Sequence, residues 1–198
     1  RDPIDSAPLL VLQVIPPAGR QTAPAAFADW ASASRWYEGL IEGMDAADAT
    51  VRAAASKAIG SADSDFFDTV RAAALYVRDQ VRYVAIEMGI GGLKPHSAAE
   101  TLSNLYGDCK DKGTLFRSIL STSGIASYPV LVNLQTPDRI PNEVPVLAFN
   151  HFVVAVVLPP GISIPKTFAA AALEAGDLGR LLIVDTTADR TSIGSIAG

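Results

Sequence analysis

Cysteine and histidine are the scarce residues of this chain: one Cys and two His in 198 residues. A single thiol excludes an intramolecular disulfide framework. One thiol with two imidazoles also leaves almost nothing from which to build a zinc site. No EF-hand loop organises the acidic side chains, so no metal is expected. Basic residues are in deficit, 16 Lys and Arg against 21 Asp and Glu, for a formal charge of −5. Nucleic-acid binders need clustered cations along the phosphate backbone, so that class is excluded. No apolar run approaches the ~20 residues that span a bilayer, so no membrane span is expected in this chain. Gly89, Gly91 and Gly92 have neither phosphate-loop spacing nor the third glycine of a dinucleotide fingerprint, and they read as a tight loop. What remains is a chain 49% apolar, of a length and composition that make one globular domain with a real core.

The chain begins at Arg1 and not at Met, so it is expected to be a fragment or a processed product. Residues 1–22 read as a lead-in: Leu9 to Ile15 is a short apolar strand or extended run stopped by Pro16 and Pro17. A single domain is expected over 23–187, helical over 23–81 with the catalytic-looking core over 82–187. Residues 188–198, rich in Ser, Ala, Ile and Gly, read as a tail.

Within the helical part, Phe27, Trp30, Ser34, Tyr37, Ile41 and Met44 recur at three- and four-residue steps. This predicts an amphipathic helix whose aromatic face is core and not a ligand groove. Ala46 to Ile59 predicts a second helix ended by Gly60. Phe66, Val70, Ala73, Ala74, Val77 and Val81 form one stripe of a third. An extended stretch is expected over Arg82 to Glu87, and a short helix over Ser97 to Leu105. A buried helix then follows Asp108, with Leu115, Phe116, Ile119 and Leu120 on one face and Gly124 at its end. Asp108 stands at its N-cap and Asp111 three residues on, an acidic form of the capping box. Pro129 to Leu134, Phe149 to Leu158 and Leu181 to Asp185 read as strands. Pro159 to Arg180 reads as a long connection with a short helix near Phe168 to Leu173, serving as a lid, an interaction surface or a plain excursion. Helices first and strands last predict an α+β fold.

The chemistry centres on Cys109. A thiol in the first turn of a helix meets free N–H groups and the positive end of the dipole, which favour thiolate. Lys110 and Lys112 add positive potential, and Asp108 and Asp111 offset it. A thiol nucleophile needs a base, and His151 stands in a strand that would hold it rigidly. The imidazole in turn needs an acceptor, and Asp185 ends the next strand. A lone cysteine is otherwise a small buried hydrophobe, and a strand histidine is otherwise a hydrogen-bonded core residue. His96, in the loop after Pro95, competes for the base role, and Asp189 is an alternative acid. Asp185 before Thr186 and Thr187 also fits the start of a turn.

Tyr106-Gly107-Asp108-Cys109-Lys110-Asp111-Lys112, with Leu115-Phe116 and Gly124-Ile125 beyond it, resembles the nucleophile helix of the transglutaminase-like superfamily. Phe149 to Val154 is similar to its histidine strand, and Val184 to Thr187 to its aspartate strand. Val81 to Val84 and Gly91-Gly92 with Pro95 resemble bacterial members of its cysteine-protease branch. The resemblance implies a papain-like α+β core, a helix carrying the cysteine packed on an antiparallel sheet carrying the histidine and the acid. It implies acyl transfer on amide bonds through a thioester, with a Cys109–His151–Asp185 triad acting on a protein or peptide. The Cys109 N–H, with Tyr83 as an aromatic aid, would support the oxyanion. It implies a peptidase- or amidase-type hydrolase first and no cofactor, with an envelope or periplasmic setting. A cross-linking transglutaminase and an arylamine-acetyltransferase-like enzyme use the same three residue types. The rival outside enzymology is a non-catalytic peptide-binding or assembly domain, which a buried Cys109 or a His151 turned away would favour.

Overall fold

A computed structural model describes residues 27–60, 65–85, 89–135 and 140–187. The expected lead-in strand, the tail, Asp189 and the Glu87 end of the extended stretch lie outside the described residues. The chain divides into two compact units, 1–40 with 133–150, and 41–132 with 151–198.

The described part of the first unit is built on helix α1, Trp30–Ile41. Its buried positions are Ala33, Tyr37 and Ile41, while Ser34 is exposed. The buried face keeps Tyr37 and Ile41 of the expected stripe and has Ala33 where Ser34 was expected. The Trp30 indole N–H donates to the Asn142 carbonyl at 2.8 Å, and its ring lies 6.1 Å from that of Phe149. Residues 141–150 form no helix or strand. Asn side chains do the work of a ladder there: Asn133 Nδ2 donates to the Ala148 carbonyl at 2.7 Å, and the Leu134 N–H donates to Asn150 Oδ1 at 2.9 Å.

The second unit starts with α2, Ala49–Ile59, and α3, Phe66–Gln80. Each opens on an aspartate, Asp48 accepting from the Val51 N–H and Asp65 from the Asp68 N–H, both at 2.8 Å. Gly60 ends α2 at φ +74, a conformation in which a side chain would be strained. After strand β1, Arg82–Tyr83, helix α4 covers Ala98–Asn104 with a full capping box between Ser97 and Glu100. Leu105 stops it in the left-handed region at φ 56. Strand β2, Tyr106–Gly107, then pairs in parallel with β1.

Helix α5, Cys109–Ser121, is the centre of this unit. It contacts α2, α3 and α4 and also β3, Ser127–Val132, and β4, His151–Val157. Every residue of α5 except Arg117 and Ser121 is buried, including Lys110, Asp111 and Lys112. The stretch read as the helix's polar start is thus interior, and its charges are satisfied internally. Lys110 pairs with Asp108. Lys112 Nζ donates to the Val81 carbonyl at 2.6 Å and the Arg78 carbonyl at 3.3 Å, satisfying acceptors at the open end of α3. Strands β5, Ala172–Glu174, and β6, Arg180–Val184, complete an antiparallel sheet of order β3-β4-β6-β5. Gly113 is where α5 meets that sheet: a Cβ there would lie 2.3 Å from Phe152 Cε1 and 3.3 Å from Val154 Cγ2.

The 159–180 connection is more ordered than its composition suggests. The expected short helix is a single 3₁₀ turn, Ala169–Ala171, and the residues after it pair with β6 as the edge strand β5. Phe168 is fully buried, with its ring 5.0 Å from that of Phe67 and the Arg71 guanidinium 5.1 Å over its face. Five α-helices and a mainly antiparallel sheet among the described residues make the class α+β, as expected. Among them, no helix is long and apolar enough to cross a membrane.

Candidate active site

Cys109 is the first residue of α5, and the helix start around it is closely tied. Asp108 Oδ1 accepts the Lys110 N–H at 3.1 Å and the Asp111 N–H at 3.3 Å. In return Asp111 Oδ2 accepts the Asp108 N–H at 3.1 Å, completing the capping box. The Lys112 N–H goes to the Asp108 carbonyl at 3.0 Å. Among the described residues, the Cys109 N–H is the one donor of this first turn that has no acceptor. The residue itself is buried, 5% exposed.

His151 opens β4, and Asp185 follows the last residue of β6. The two strands pair antiparallel with Val154 opposite Val184. One step further in that register puts Asp185 opposite Val153, on the same face as His151 and two residues along, a diagonal neighbour. The side chains meet there, His151 Nε2 to Asp185 Oδ2 at 2.8 Å, with 10% and 7% of them exposed. Asp185 is steadied from behind, its Oδ1 accepting the Thr187 N–H at 2.8 Å and the Thr187 hydroxyl at 2.7 Å. One carboxylate oxygen of Asp185 thus faces His151, and the other closes the turn with Thr187.

The electrostatics follow from this packing. Burial is the largest influence on His151 and disfavours its charged form. The hydrogen bond to Asp185, another with the Cys109 side chain, and charge interactions with the same two groups outweigh burial and raise its pKa from 6.5 to about 10. Burial also works to raise Asp185, but its hydrogen bonds from His151 and Thr187 hold it below the usual 3.8. With Nε2 given to Asp185, Nδ1 is the ring nitrogen left for the thiol.

Cys109, His151 and Asp185 therefore lie together, and His96 is not part of that group. Its ring is exposed, and Nδ1 sits 3.2 Å from Asp111 Oδ2. Tyr83 is exposed and stands opposite Gly107 in the parallel β1–β2 pair. Paired residues share a face, and on that face a Gly107 Cβ would meet Asp111, so Tyr83 lies on the side of the pair turned to the start of α5. The positive potential expected from Lys112 is spent on the carbonyls of Arg78 and Val81, and that from Lys110 on Asp108. Thr187 and Gly113 are the site-shaping residues that sequence reasoning passed over. The Asp-Thr-Thr turn signal was the pointer to the first. Among the described residues, no three His, Cys, Asp or Glu side chains are grouped to hold a metal ion.

No family model matches the chain, and neither does any curated protein. A crystal structure of a candidate protease from Parabacteroides distasonis is similar to it, with a TM-score of 0.53 and 15% sequence identity. The likeness covers 79% of this chain and 30% of that protein, so the chain spans about a third of its neighbour's length. At such identity what is shared is the fold.

Proposed function

We propose that the chain is a transglutaminase-like domain with a papain-like core, and that it performs acyl transfer on amide bonds through a thioester at Cys109. The observation that carries this reading is His151, hydrogen-bonded to the Asp185 carboxylate at 2.8 Å and close enough to the Cys109 side chain, at the start of a helix, for the thiol to help raise its pKa. A nucleophile, a base and a group that orients the base, within hydrogen-bonding reach in that order, make up the machinery of covalent acyl transfer.

In this reading Cys109 Sγ, as thiolate facing the His151 imidazolium, attacks the carbonyl carbon of a peptide or carboxamide. The carbonyl electrons move to oxygen, and the oxyanion meets the unpartnered Cys109 N–H, with Tyr83 as a further donor from β1. Collapse expels the amine, which takes the proton from His151 Nδ1 and leaves a thioester on Cys109. Neutral His151 then removes a proton from water as it attacks the thioester. The carboxylic acid departs, and the proton returns the pair to its starting state. Asp185 holds the ring by Nε2 throughout and remains ionised. The similarity in fold to a candidate protease is compatible with hydrolysis over cross-linking.

A second reading has one observation in its favour. Cys109 is 5% exposed, as a structural thiol in a peptide-binding or assembly domain would be. p-Nitrophenyl acetate separates the two. An acyl-transfer site releases a burst of one p-nitrophenol per chain and carries an acetyl group on Cys109 by mass spectrometry, and Cys109→Ala abolishes both. Cleavage of fluorescein-labelled casein by the native chain, and not by Cys109→Ala, identifies a peptidase. No burst and no acetyl-Cys109 would leave the binding-domain reading standing.

A further inference from the structure

The first turn of α5 carries more carboxylate than a helix cap needs. Asp108 alone caps the Lys110 and Asp111 N–H groups. Asp111 is a second buried carboxylate, 3% exposed, and among the described residues no lysine or arginine forms an ion pair with it. It holds three donors from two places in the chain. These are the Asp108 N–H at 3.1 Å, the His96 N–H at 2.8 Å and the His96 ring Nδ1 at 3.2 Å. A carboxylate facing a ring nitrogen fixes the proton on that nitrogen, so Nδ1 of His96 is a donor.

Space for this carboxylate has been left by the neighbouring strand. A Cβ on Gly107 would lie 2.6 Å from Asp111 Cβ and 2.9 Å from Asp111 Oδ2, closer than such atoms approach. Asp111 therefore ties together the 95–97 loop through His96, the end of β2 through Gly107, and the Asp108 peptide that enters α5. The next peptide in the chain carries the Cys109 N–H, the one donor of the turn without an acceptor among the described residues.

We propose that Asp111, clamped by His96, is a positioning residue that holds the Cys109 peptide N–H at the angle where it meets a developing oxyanion. This rests on the acyl-transfer reading and adds to it a residue that touches neither thiol nor substrate. Asp111 acts through the Asp108 N–H, and His96 acts through Asp111. A base role for His96 is set aside, because its ring is committed to Asp111 and not to Cys109.

Two probes of the same thiol test it. Acylation by p-nitrophenyl acetate builds an oxyanion and uses the N–H. Alkylation by iodoacetamide displaces iodide, forms no oxyanion, and reads thiol reactivity alone. The ratio of acylation to alkylation rate thus reports the donor's placement. Losing a whole oxyanion donor costs roughly 100- to 1,000-fold, and misplacing one costs a part of that. Asp111→Ala is expected to lower the ratio about tenfold. Asp111→Asn keeps one acceptor oxygen, enough for the Asp108 N–H but not for the His96 N–H on the other oxygen, and is expected to recover the ratio in part, to about threefold below native. His96→Ala is expected to lower it about threefold, and it carries the test if Asp111→Ala does not fold. An unchanged ratio in His96→Ala and in the folded Asp111 variants would reduce Asp111 to an ordinary cap and overturn the proposal while acyl transfer stands. A native chain that alkylates but never acylates would overturn both.

Discussion

Gly113 is the position where the account of the site is most exposed to a simple substitution. It lies one helical turn beyond Cys109, and α5 touches β4 there with nothing between backbone and ring. Adding one methyl group, Gly113→Ala, would put carbon 2.3 Å from Phe152 Cε1 and 2.6 Å from Cδ1. Carbon atoms in contact sit ~3.5–4.0 Å apart, so helix and ring must separate by more than 1 Å. The ring has no exit, since Phe152 is 2% exposed and Val154 fully buried. Overpacking of that kind costs ~1–3 kcal/mol. Replacing glycine by alanine inside a helix returns ~1 kcal/mol. The expected net effect is a loss of up to ~2 kcal/mol, read as a fall in the urea midpoint at constant m-value. Because Phe152 follows His151 directly, the same displacement is expected to slow Cys109 alkylation. Phe152→Leu added to Gly113→Ala makes room and is expected to recover part of the stability, a coupling visible in a double-mutant cycle. A gain of ~0.5–1 kcal/mol in Gly113→Ala, as helix propensity alone dictates, would refute the close-approach argument.

Three further outcomes are expected. Lys112→Met keeps the length of the side chain but strands the Val81 and Arg78 carbonyls, and should cost ~1–3 kcal/mol in urea unfolding; an unchanged midpoint would mean the ammonium is not capping α3. The His151–Asp185 bond is a pH-dependent contributor. His151 is raised from 6.5 to about 10, so its contribution is complete below 6.5 and lost as pH rises towards 10. Asp185 is lowered, so its contribution is lost as pH falls below 3.8. The stability gap between the native chain and Asp185→Asn should accordingly be widest near pH 5 and shrink by pH 10, and a gap that widens with pH would contradict the assignment. Leu105→Gly relieves a left-handed residue that is 52% exposed and packs little, and should leave stability unchanged or raise it by up to ~1 kcal/mol; a loss above that would mean the exposed side chain is held by contacts.

Local signals were the legible ones. Asp108 announced its helix because a capping side chain and its target lie three residues apart. Gly60 announced an ending because only its backbone conformation had to be inferred. The three longer strands showed as β-rich runs, and the order of Cys109, His151 and Asp185 put the site's polar groups on a helix and two strands before any register was known. What stayed hidden depends on distant parts of the chain. β2 is two residues long, and its pairing with the expected extended stretch at Arg82 and Tyr83 runs across the whole of α4, so it carries no pattern of its own. Strand β5 lies in an alanine-rich stretch whose composition favours helix, and only its pairing with β6 decides otherwise. Lys112 looks like a surface residue because its partners are main-chain carbonyls some thirty residues away. Gly113 looks like a weak point in a helix until Phe152 is seen against it.

Iodoacetamide alkylation at pH 6, in the native chain and in His151→Ala, tests the central claim most directly, because Cys109 is the only thiol. If His151 and Asp185 hold the thiol ready as the reading requires, the native chain reacts at least about tenfold faster than the variant at that pH, and guanidine unfolding abolishes the difference. Equal rates in the two folded chains, or a native thiol that reacts only after unfolding, would contradict the claim and make Cys109 part of the core.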